Sequence, residues 1–530
     1  MLEVIKKTIY LVLIFFIGLF IGSSFFIRAK YNSTVYGDAP ILQSQKIGIF
    51  IFFIVLLTLL SIALYKLCLK FNKYSKKIVI PVTLLFSFVI QIVIIFTFTK
   101  LTEADSQTVL GLALNMLYKN DYSTFQSGGY LYMFPFNFSI VLYLKTLLAI
   151  FPDNYLVIKI FNIIFTLVTT LMIYLIYKEV NYKSKENDYG VLIFAATYIP
   201  SLFMCNFIYN DIIGTAFLTS AIFFIIKFVK ERSLKYIIIA SILLSIGNYF
   251  RSVGVIILIA TVLYISLNLK IIGIKKLMTS FCVLAVLFNI PSWTQNAVLQ
   301  STHIVNESVT KNSAPIYMWL NMGINEKTFG YWDNMQSYNI YEREGNYNKE
   351  KSTELFKEEI KNKLSDMTFS DLAEMYYKKI VWTWTEGTYQ LERDGIGSEA
   401  SFNQGQGMKM NMVTASGYSY DTYVSNLFKG DSKYRSGILW ISYVMNFLMY
   451  CFIFIRLING MKSKKFEEVF LILVILGFVG FYILWEIKSR YIYPVYPLLI
   501  VLSYMGYKDV YDFMSKRNLL KYISSFKRRG

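Results

Sequence analysis

The sequence predicts an all-α polytopic membrane protein with about 12 to 13 transmembrane helices and a large, mixed or mainly helical extracytoplasmic segment. Composition is the first observation behind this prediction. Of the 530 residues, 55% are hydrophobic and 16% are charged, against about 25% charged residues in an average soluble domain. The second observation is a set of long, nearly uncharged runs such as 8–26, 46–67 and 78–98. Each of these meets the length of roughly 20 residues that crosses about 30 Å of hydrocarbon.

The apolar runs that predict spans are 8–26, 46–67, 78–98, 130–150, 155–177, 190–208, 212–229, 236–250, 253–269, 277–291, 437–457, 468–486 and 492–507. Seven of these runs lie between two long polar stretches, 99–129 and 292–435. If both stretches are on the same side of the membrane, an even number of crossings must separate them. We therefore expect one run not to cross, and the short runs within 190–211 and 236–269 are the expected exceptions.

The formal net charge of +19 is unevenly distributed. The 292–435 segment holds 18 of the 34 acidic and 15 of the 53 basic residues, so it carries −3 and the rest of the chain +22. The excess basic residues lie in short connections between apolar runs, which is the pattern of cytoplasmic loops. The charge therefore indicates membrane topology rather than nucleic-acid binding, and it places 99–129 and 292–435 outside the cytoplasm.

These boundaries predict five parts. Residues 1–77 form two N-terminal transmembrane helices, and 78–291 form a transmembrane module whose first outer loop is 99–129. Residues 292–435 form an extracytoplasmic domain, 436–507 the C-terminal transmembrane helices, and 508–530 a basic cytoplasmic tail. The four cysteines share no motif spacing and the single histidine is His303. Neither a disulfide framework nor a histidine-cluster metal site is predicted.

The 292–435 segment, called the large segment below, carries helical signals in its first half. Apolar residues recur at spacing four from Phe356 to Leu364, with charges between them. Thr368 and Asp371 have the spacing of a capping box. We expect this box to begin a helix that continues to Trp384.

Two carboxylates, Glu103 and Asp105, directly follow the third apolar run. Residues two apart in an extended loop project to the same side, so both carboxylates can face one substrate or one divalent cation such as Mg or Mn. Glycosyl transfer needs a group that takes the proton of the acceptor. The alternative is that the acids mark the water boundary and favour the start of the following helix.

Further charged residues interrupt the apolar runs. Near the C-terminus, Glu486, Lys488 and Arg490 lie between two runs, and Glu486 and Arg490 would share one face of an α-helix. Arg490 can bind a phosphate with two parallel hydrogen bonds. Asp211 and Arg251 are charges at or within apolar stretches, where the cost of burial makes them candidates for function. The alternative for all of them is an ordinary interfacial ion pair or boundary marker.

Together these motifs resemble the GT-C superfamily of membrane glycosyltransferases. The match rests on Glu103-Ala104-Asp105, on the Gly-Asn-aromatic stretch before Arg251, and on Glu486-x-x-x-Arg490-Tyr491-x-x-Pro494. The nearest members are bacterial enzymes of the protein O-mannosyltransferase and aminoarabinose transferase type (glycosyltransferase family 39-like). The resemblance spans about residues 78–507, and the first two spans precede it as an addition.

The resemblance implies roles for these residues. Asp105 would be the catalytic base with Glu103 as its partner. The phosphate of a polyprenyl-phosphate sugar would contact Arg490, Tyr491, Arg251 and Lys488, with Asp211 and Glu486 as supporting groups or metal ligands. A divalent cation is left open as a cofactor. The implied site faces outward from a bacterial plasma membrane, and the implied acceptor is a cell-wall glycan, a lipid or a protein.

Two tryptophans are further candidates for the acceptor site, Trp382 and Trp384. Glu386, beside them in the sequence, is a third. The sequence lacks the Trp-Trp-Asp motif of oligosaccharyltransferases, and Trp382-Thr383-Trp384 does not replace it. The absence argues against glycosylation of asparagine.

Three other classes of membrane protein stay open at the level of sequence. One is a receptor or structural membrane protein, for which the outer segment alone would matter. A polysaccharide polymerase or ligase also has many spans and one large outer loop, but it would place arginine or histidine sites in that loop. A lipid-linked-sugar transporter or flippase would show internal repeats and broken helices near the midplane. No short-period repeat is seen, and the charged candidates cluster at the predicted outer boundary.

Overall fold

A computed structural model describes residues 2–34, 37–99, 104–152, 154–181, 187–397, 420–464 and 466–516. These residues are mostly helical, and they confirm the predicted class of all-α polytopic membrane protein. A two-stranded antiparallel hairpin that the sequence analysis did not predict joins the first two helices. Its strands pair Ile27 with Ser44 at the open end.

The helices and strands are α1 Leu2–Ser24, β1 Ile27–Thr34, β2 Gly37–Ser44, α2 Ile47–Phe71, α3 Lys76–Thr97, α4 Asp105–Tyr118, α5 Tyr130–Met133, α6 Phe138–Ile150, α7 Tyr155–Val180, α8 Gly190–Ala196, α9 Ile199–Met204, α10 Asn210–Glu231, α11 Leu234–Phe250, α12 Gly254–Leu267, α13 Leu269–Ile272, α14 Ile274–Phe288, α15 Ile290–Ser301, α16 Ile316–Gly323, α17 Lys349–Asp366, α18 Phe369–Thr385, α19 Leu391–Asp394, α20 Tyr423–Leu427, α21 Lys433–Ser463, α22 Val469–Leu484 and α23 Tyr496–Lys516. Short 3₁₀ segments are Ser123–Phe125, Pro135–Asn137 and Ser489–Val495.

Seven helical stretches are long and apolar enough to cross a membrane, within the described part of the chain. An eighth results if one bent pair counts as a span. Other predicted spans fall on the shorter apolar helices α11, α12 and α22, on the run 190–208, which is divided into α8 and α9, or on α23, which contains most of the run 492–507. Length and composition alone therefore give fewer spans than the predicted 12 to 13. The reason is that several helices end or break before they reach roughly 20 residues.

The bent pair lies within 123–150, where two helical stretches meet at 102°. Asn137, just before α6, accepts a hydrogen bond from the Tyr209 hydroxyl (3.1 Å). Asn162, in the second turn of α7, donates to the carbonyl oxygen of Phe207 (2.9 Å). The start of α6 and the start of the next long helix thus both contact the loop 205–209. They therefore lie on one face of the bundle, called the site face below.

This arrangement adds the run 130–150 to the candidates for the non-crossing run. Its two helical stretches meet at 102°, the geometry of a broken span or a re-entrant loop. Helix α6 has 13 residues, about 20 Å, which is less than the roughly 30 Å of the hydrocarbon core. The expectation that the exception lies within 190–211 or 236–269 stays a prediction, since the helices there (α8, α9, α11 and α12) are also short.

The large segment contains the helices that its sequence pattern predicts. Thr368 and Asp371 form the expected capping box, and α18 follows it to Thr385. The preceding pattern forms α17. Helix α18 packs against the hairpin, where the Trp382 indole N–H donates to the Lys30 carbonyl oxygen (2.9 Å). The hairpin therefore connects the N-terminal helices to the large segment.

Helix α23 is attached at the end of the bundle away from the site face. The Lys508 ammonium lies 2.6 Å from the buried Asp188 carboxylate, which also accepts from the Tyr177 hydroxyl (2.7 Å). Asp509, the next residue in α23, pairs with Arg456 (3.2 Å), and Arg456 also pairs with Glu468. Part of the predicted tail is thus helix, through Lys516, and residues from 517 onward lie outside the described part.

The site-face assignment predicts the sidedness of α6. Phe151, at the C-terminal end of α6, is 40% exposed. In a cysteine-free background, Phe151→Cys should react with a membrane-impermeant maleimide from the same side as Tyr423→Cys in the large segment. Lys73→Cys, in the connection between α2 and α3, should react from the opposite side. Labelling of Phe151→Cys from the side of Lys73→Cys would show that α6 crosses.

Candidate functional site

Four segments that are distant in sequence bring charged side chains together on the site face. Asp105 is in the first turn of α4, Asp211 in the first turn of α10, Arg251 follows α11, and Arg490 lies in the 3₁₀ segment before α23. Arg490 lies 3.2 Å from Asp211 and 3.6 Å from Asp105. Arg251 lies 3.2 Å from the other carboxylate oxygen of Asp211. The sequence-predicted residues therefore form one connected cluster.

Local structure explains how the buried carboxylate reaches both arginines. The first turn of α10 favours a negative charge at Asp211, because the helix dipole is positive there. Gly214, one turn later, lets α10 approach Arg251, since a Cβ at that position would lie 2.7 Å from the Arg251 Cβ. The Ser106 hydroxyl donates to the Ile208 carbonyl oxygen (2.9 Å), which ties the start of α4 to the loop before α10.

Burial distinguishes the two aspartates. The Asp211 side chain is fully buried and each of its oxygens faces a guanidinium group. The Asp105 side chain is 43% exposed and has Arg490 at one oxygen. Asp211 therefore acts as the fixed counter-charge of the two arginines, whereas Asp105 has a carboxylate that a ligand can reach.

The arginines retain hydrogen-bonding capacity. Among the described residues, the Nε atoms of Arg251 and Arg490 are buried without a hydrogen-bond partner. A buried donor without a partner costs about 1–3 kcal/mol. Two such donors in one cluster form a site that an anion would satisfy.

The segment around Arg490 adds a third cation. The Lys488 ammonium lies 5.6 Å from the ring centre of Trp332 and 5.9 Å from that of Tyr491. The Tyr491 hydroxyl donates to Glu486 (3.2 Å), and its ring lies 4.9 Å from the Arg251 guanidinium. Burial raises the pKa of the Glu486 carboxyl, and the Lys488 ammonium acts in the opposite direction. The cluster therefore brings three basic and three acidic side chains together.

One prediction about this segment is wrong. Glu486 and Arg490 do not share an α-helical face, because Lys488 between them has an extended backbone (φ −142°, ψ 145°) and a 3₁₀ segment follows. Glu486 instead bonds to Tyr491, and Arg490 turns towards Asp211. The ordinary interfacial ion pair between Glu486 and Arg490 is therefore absent from the described contacts.

The structure adds polar residues that the sequence analysis did not single out as site residues. The Asn137 amide donates to the Tyr130 hydroxyl (2.8 Å) and accepts from Tyr209. The Tyr209 and Phe207 rings lie 5.0 and 5.3 Å from the Arg490 guanidinium. The sequence could have pointed to Tyr209 and Phe207 because they lie close to Asp211, with Tyr209 two residues away. Asn137 and Tyr130 give no comparable signal, because the turn between α5 and α6 brings them to the site.

The acceptor candidates are buried in the packing of the large segment. Trp382, Trp384 and Glu386 are each at most 2% exposed. Trp384 stacks on Phe20 with 5.7 Å between ring centres. The Glu386 carboxylate accepts from the backbone N–H of Thr388 (3.0 Å). Their role in an acceptor site stays a prediction, and this packing gives it no support.

Metal binding also stays open. No group of three or more histidine, cysteine, aspartate or glutamate side chains suited to a metal ion occurs in the described residues. Glu103, the predicted partner of Asp105, lies outside them. Asp211, a predicted supporting group or metal ligand, has both oxygens beside guanidinium groups, which supports the role of a counter-charge.

Comparisons with known proteins point to the same class. Residues 135–294 match the family model described as dolichyl-phosphate-mannose-protein mannosyltransferase. This stretch runs from just before α6 into α15 and contains Asp211 and Arg251. The match confirms the predicted resemblance to the GT-C superfamily and supports a membrane glycosyltransferase. The comparison with curated protein sequences gives no match.

One solved structure resembles the chain at low similarity. It is the apo form of an oligosaccharyltransferase from Archaeoglobus fulgidus, at 12% sequence identity and a TM-score of 0.39. The alignment covers 84% of this chain and 52% of that one, so the chain spans about half the length of the oligosaccharyltransferase.

The shared carboxylate predicts a large stability effect. Asp211→Asn removes the counter-charge beside Arg251 and one of the two carboxylates beside Arg490. We expect a loss of about 3 kcal/mol in the free energy of unfolding, the scale of a broken buried ion pair. The unfolding temperature in detergent measures it. The control is Glu307→Gln, which removes an ion pair with Lys311. Both side chains are exposed (Lys311 59%, Glu307 56%), so the unfolding temperature should stay unchanged. An unchanged midpoint for Asp211→Asn would contradict the role of Asp211.

Proposed function

We propose that this protein transfers a sugar from a polyprenyl-phosphate donor to an acceptor on the extracytoplasmic side of a bacterial plasma membrane. The observation that carries the proposal is the cluster in which Arg251, Arg490 and Lys488 converge beside the exposed carboxylate of Asp105. Its two unpartnered Nε donors suit the oxygens of a phosphate. A phosphate attached to a polyprenyl chain would lie at the membrane boundary, where this cluster connects the ends of apolar helices.

Asp105 is the proposed general base. Its exposed carboxylate would accept the proton of the acceptor hydroxyl while the acceptor oxygen bonds to the anomeric carbon. The bond between that carbon and the phosphate oxygen breaks, and polyprenyl phosphate leaves. Arg490 contacts Asp105 and would also contact the phosphate. One side chain thus links the base to the leaving group and favours the charge that develops there.

Asp211 is not suited to the role of base. Its carboxylate is buried, and transferring a proton to it would remove the charge that holds Arg251 and Arg490. We assign it to positioning the two arginines. The identity of the sugar follows from neither residue, and the acceptor is proposed as a class: a cell-wall polymer, a lipid or a protein.

Removal of the proposed base predicts a loss of transfer. Asp105→Asn keeps the size of the side chain but cannot take up a proton. We expect a decrease of at least about 100-fold in the rate of transfer from radiolabelled polyprenyl-phosphate sugars to native membranes. The matched control is Asp121→Asn, a carboxylate near the other end of α4 that accepts from the Ser123 N–H (2.9 Å). Its activity should equal that of the wild type.

The outcome for Asp105→Asn separates two mechanisms. Equal folding with lost transfer supports Asp105 as the base, and the labelled product then identifies the acceptor. Full activity of the variant would disprove the assignment and would favour a polymerase or ligase whose site lies elsewhere.

Phosphate binding predicts a second effect, at Arg490. Arg490→Lys keeps the positive charge but loses the planar fork that binds a phosphate with two hydrogen bonds. We expect kcat/KM for the donor to fall about 10- to 100-fold, mainly through a higher donor KM, the scale of a charge-assisted hydrogen bond. Arg232→Lys, at an exposed position after α10, is the control. An unchanged donor KM for Arg490→Lys would argue against phosphate at this position.

A further inference from the structure

Lys379 is a buried lysine that the proposed mechanism does not use. It lies in α18 of the large segment and its side chain is fully buried. The ammonium group donates to the Gly323 carbonyl oxygen (2.7 Å). Burial lowers its pKa to about 7, although the nearby Glu486 carboxylate acts in the opposite direction. Burying an amine costs free energy unless the amine forms specific contacts. The contacts of Lys379 therefore identify what it holds in place.

Two glycines enclose the lysine. A Cβ at Gly330, where φ is +88°, would lie 2.8 Å from Lys379 Cε and 2.9 Å from Nζ. A Cβ at Gly323 would lie 3.0 Å from the same Nζ and 2.2 Å from the Leu484 carbonyl oxygen. The loop between these glycines therefore wraps closely around the ammonium group. It also touches the end of α22, which leads into the candidate site.

The same loop holds the backbone that carries the site cations. The Ile487 N–H donates to the Gly330 carbonyl oxygen (2.8 Å), and Tyr331 forms a parallel bridge with Ile487. The next residue, Lys488, lies against the rings of Tyr331 and Trp332. Arg490 is two residues further on. The contacts thus form a continuous path from Lys379 through the glycine loop to the cations of the site.

We propose that Lys379 is a positioning residue that holds the glycine loop 323–330 against segment 484–488 and so orients Arg490 and Lys488 for the phosphate of the donor. This inference rests on the proposed function. Without the ammonium group, the Gly323 carbonyl loses its donor and the loop loses the group around which it packs. The backbone at Ile487 then loses its support. A side chain distant from the ligand thereby sets the geometry of those that contact it.

Lys379→Met tests the proposal, because methionine is a long, flexible apolar side chain that can occupy much of the same space but cannot donate. Purified full-length protein would be titrated with farnesyl phosphate, and both dissociation constant and stoichiometry would be measured. We expect the dissociation constant to rise about 10-fold, the scale for residues that couple to a site without touching its ligand. Lys378→Met is the matched control, since Lys378 is the neighbouring residue and forms an exposed pair with Glu374.

Stoichiometry separates positioning from a purely structural role. A variant that merely misfolds in part would bind fewer equivalents with the wild-type dissociation constant. Gly330→Ala disturbs the same contact from the other side and keeps the lysine, so it provides the test if Lys379→Met does not fold. The inference is overturned if Lys379→Met and Gly330→Ala both bind with the wild-type dissociation constant. If only Gly330→Ala folds, wild-type affinity of that variant alone overturns it.

Arg490→Ala distinguishes failure of this inference from failure of the proposed function. If the wild type binds farnesyl phosphate and Arg490→Ala does not, the phosphate site stands, and the Lys379 variants decide the positioning role. If Arg490→Ala binds as tightly as the wild type, the phosphate site is wrong and the inference about Lys379 falls with it.

Discussion

The carboxylate of Asp211 lies between the guanidinium groups of Arg251 and Arg490, and the candidate site depends on this shared ion pair. Each arginine alone would be a buried charge at the end of an apolar helix, at a cost of several kcal/mol. One buried carboxylate makes both tolerable, and the exposed carboxylate of Asp105 lies 3.6 Å from Arg490 as a second counter-charge. Electrostatic attraction is stronger in this buried setting than in bulk water.

The architecture places this charge at the boundary of the apolar bundle. The bent pair that precedes α7 brings Tyr130 and Asn137 to the loop before Asp211. The far end of the bundle carries its own buried ion pairs, through Lys508 and Asp509, which attach the helix that follows Arg490. The C-terminal helix is therefore fixed at both ends.

The large segment contributes to the site through backbone contacts. Its glycine loop bonds to Ile487, and α18 supplies Lys379 beneath that loop. The large segment thus supports the backbone that carries Lys488 and Arg490. Within it, Trp382 bonds to the hairpin and Trp384 stacks on Phe20 of α1.

The sequence by itself determined the membrane class, the capping box of α18, and the list of charges that converge in the site. These follow from local chemistry: a long apolar run needs a lipid environment, and an isolated charge beside such a run needs a partner or a ligand. Only the tertiary structure decided which partner each charge has. Asp211 and Arg490 are 279 residues apart, and no local pattern relates them. It also decided that the chain bends by 102° within 123–150 and that Trp382 and Trp384 are buried, because hydropathy measures how apolar a segment is and not what it packs against.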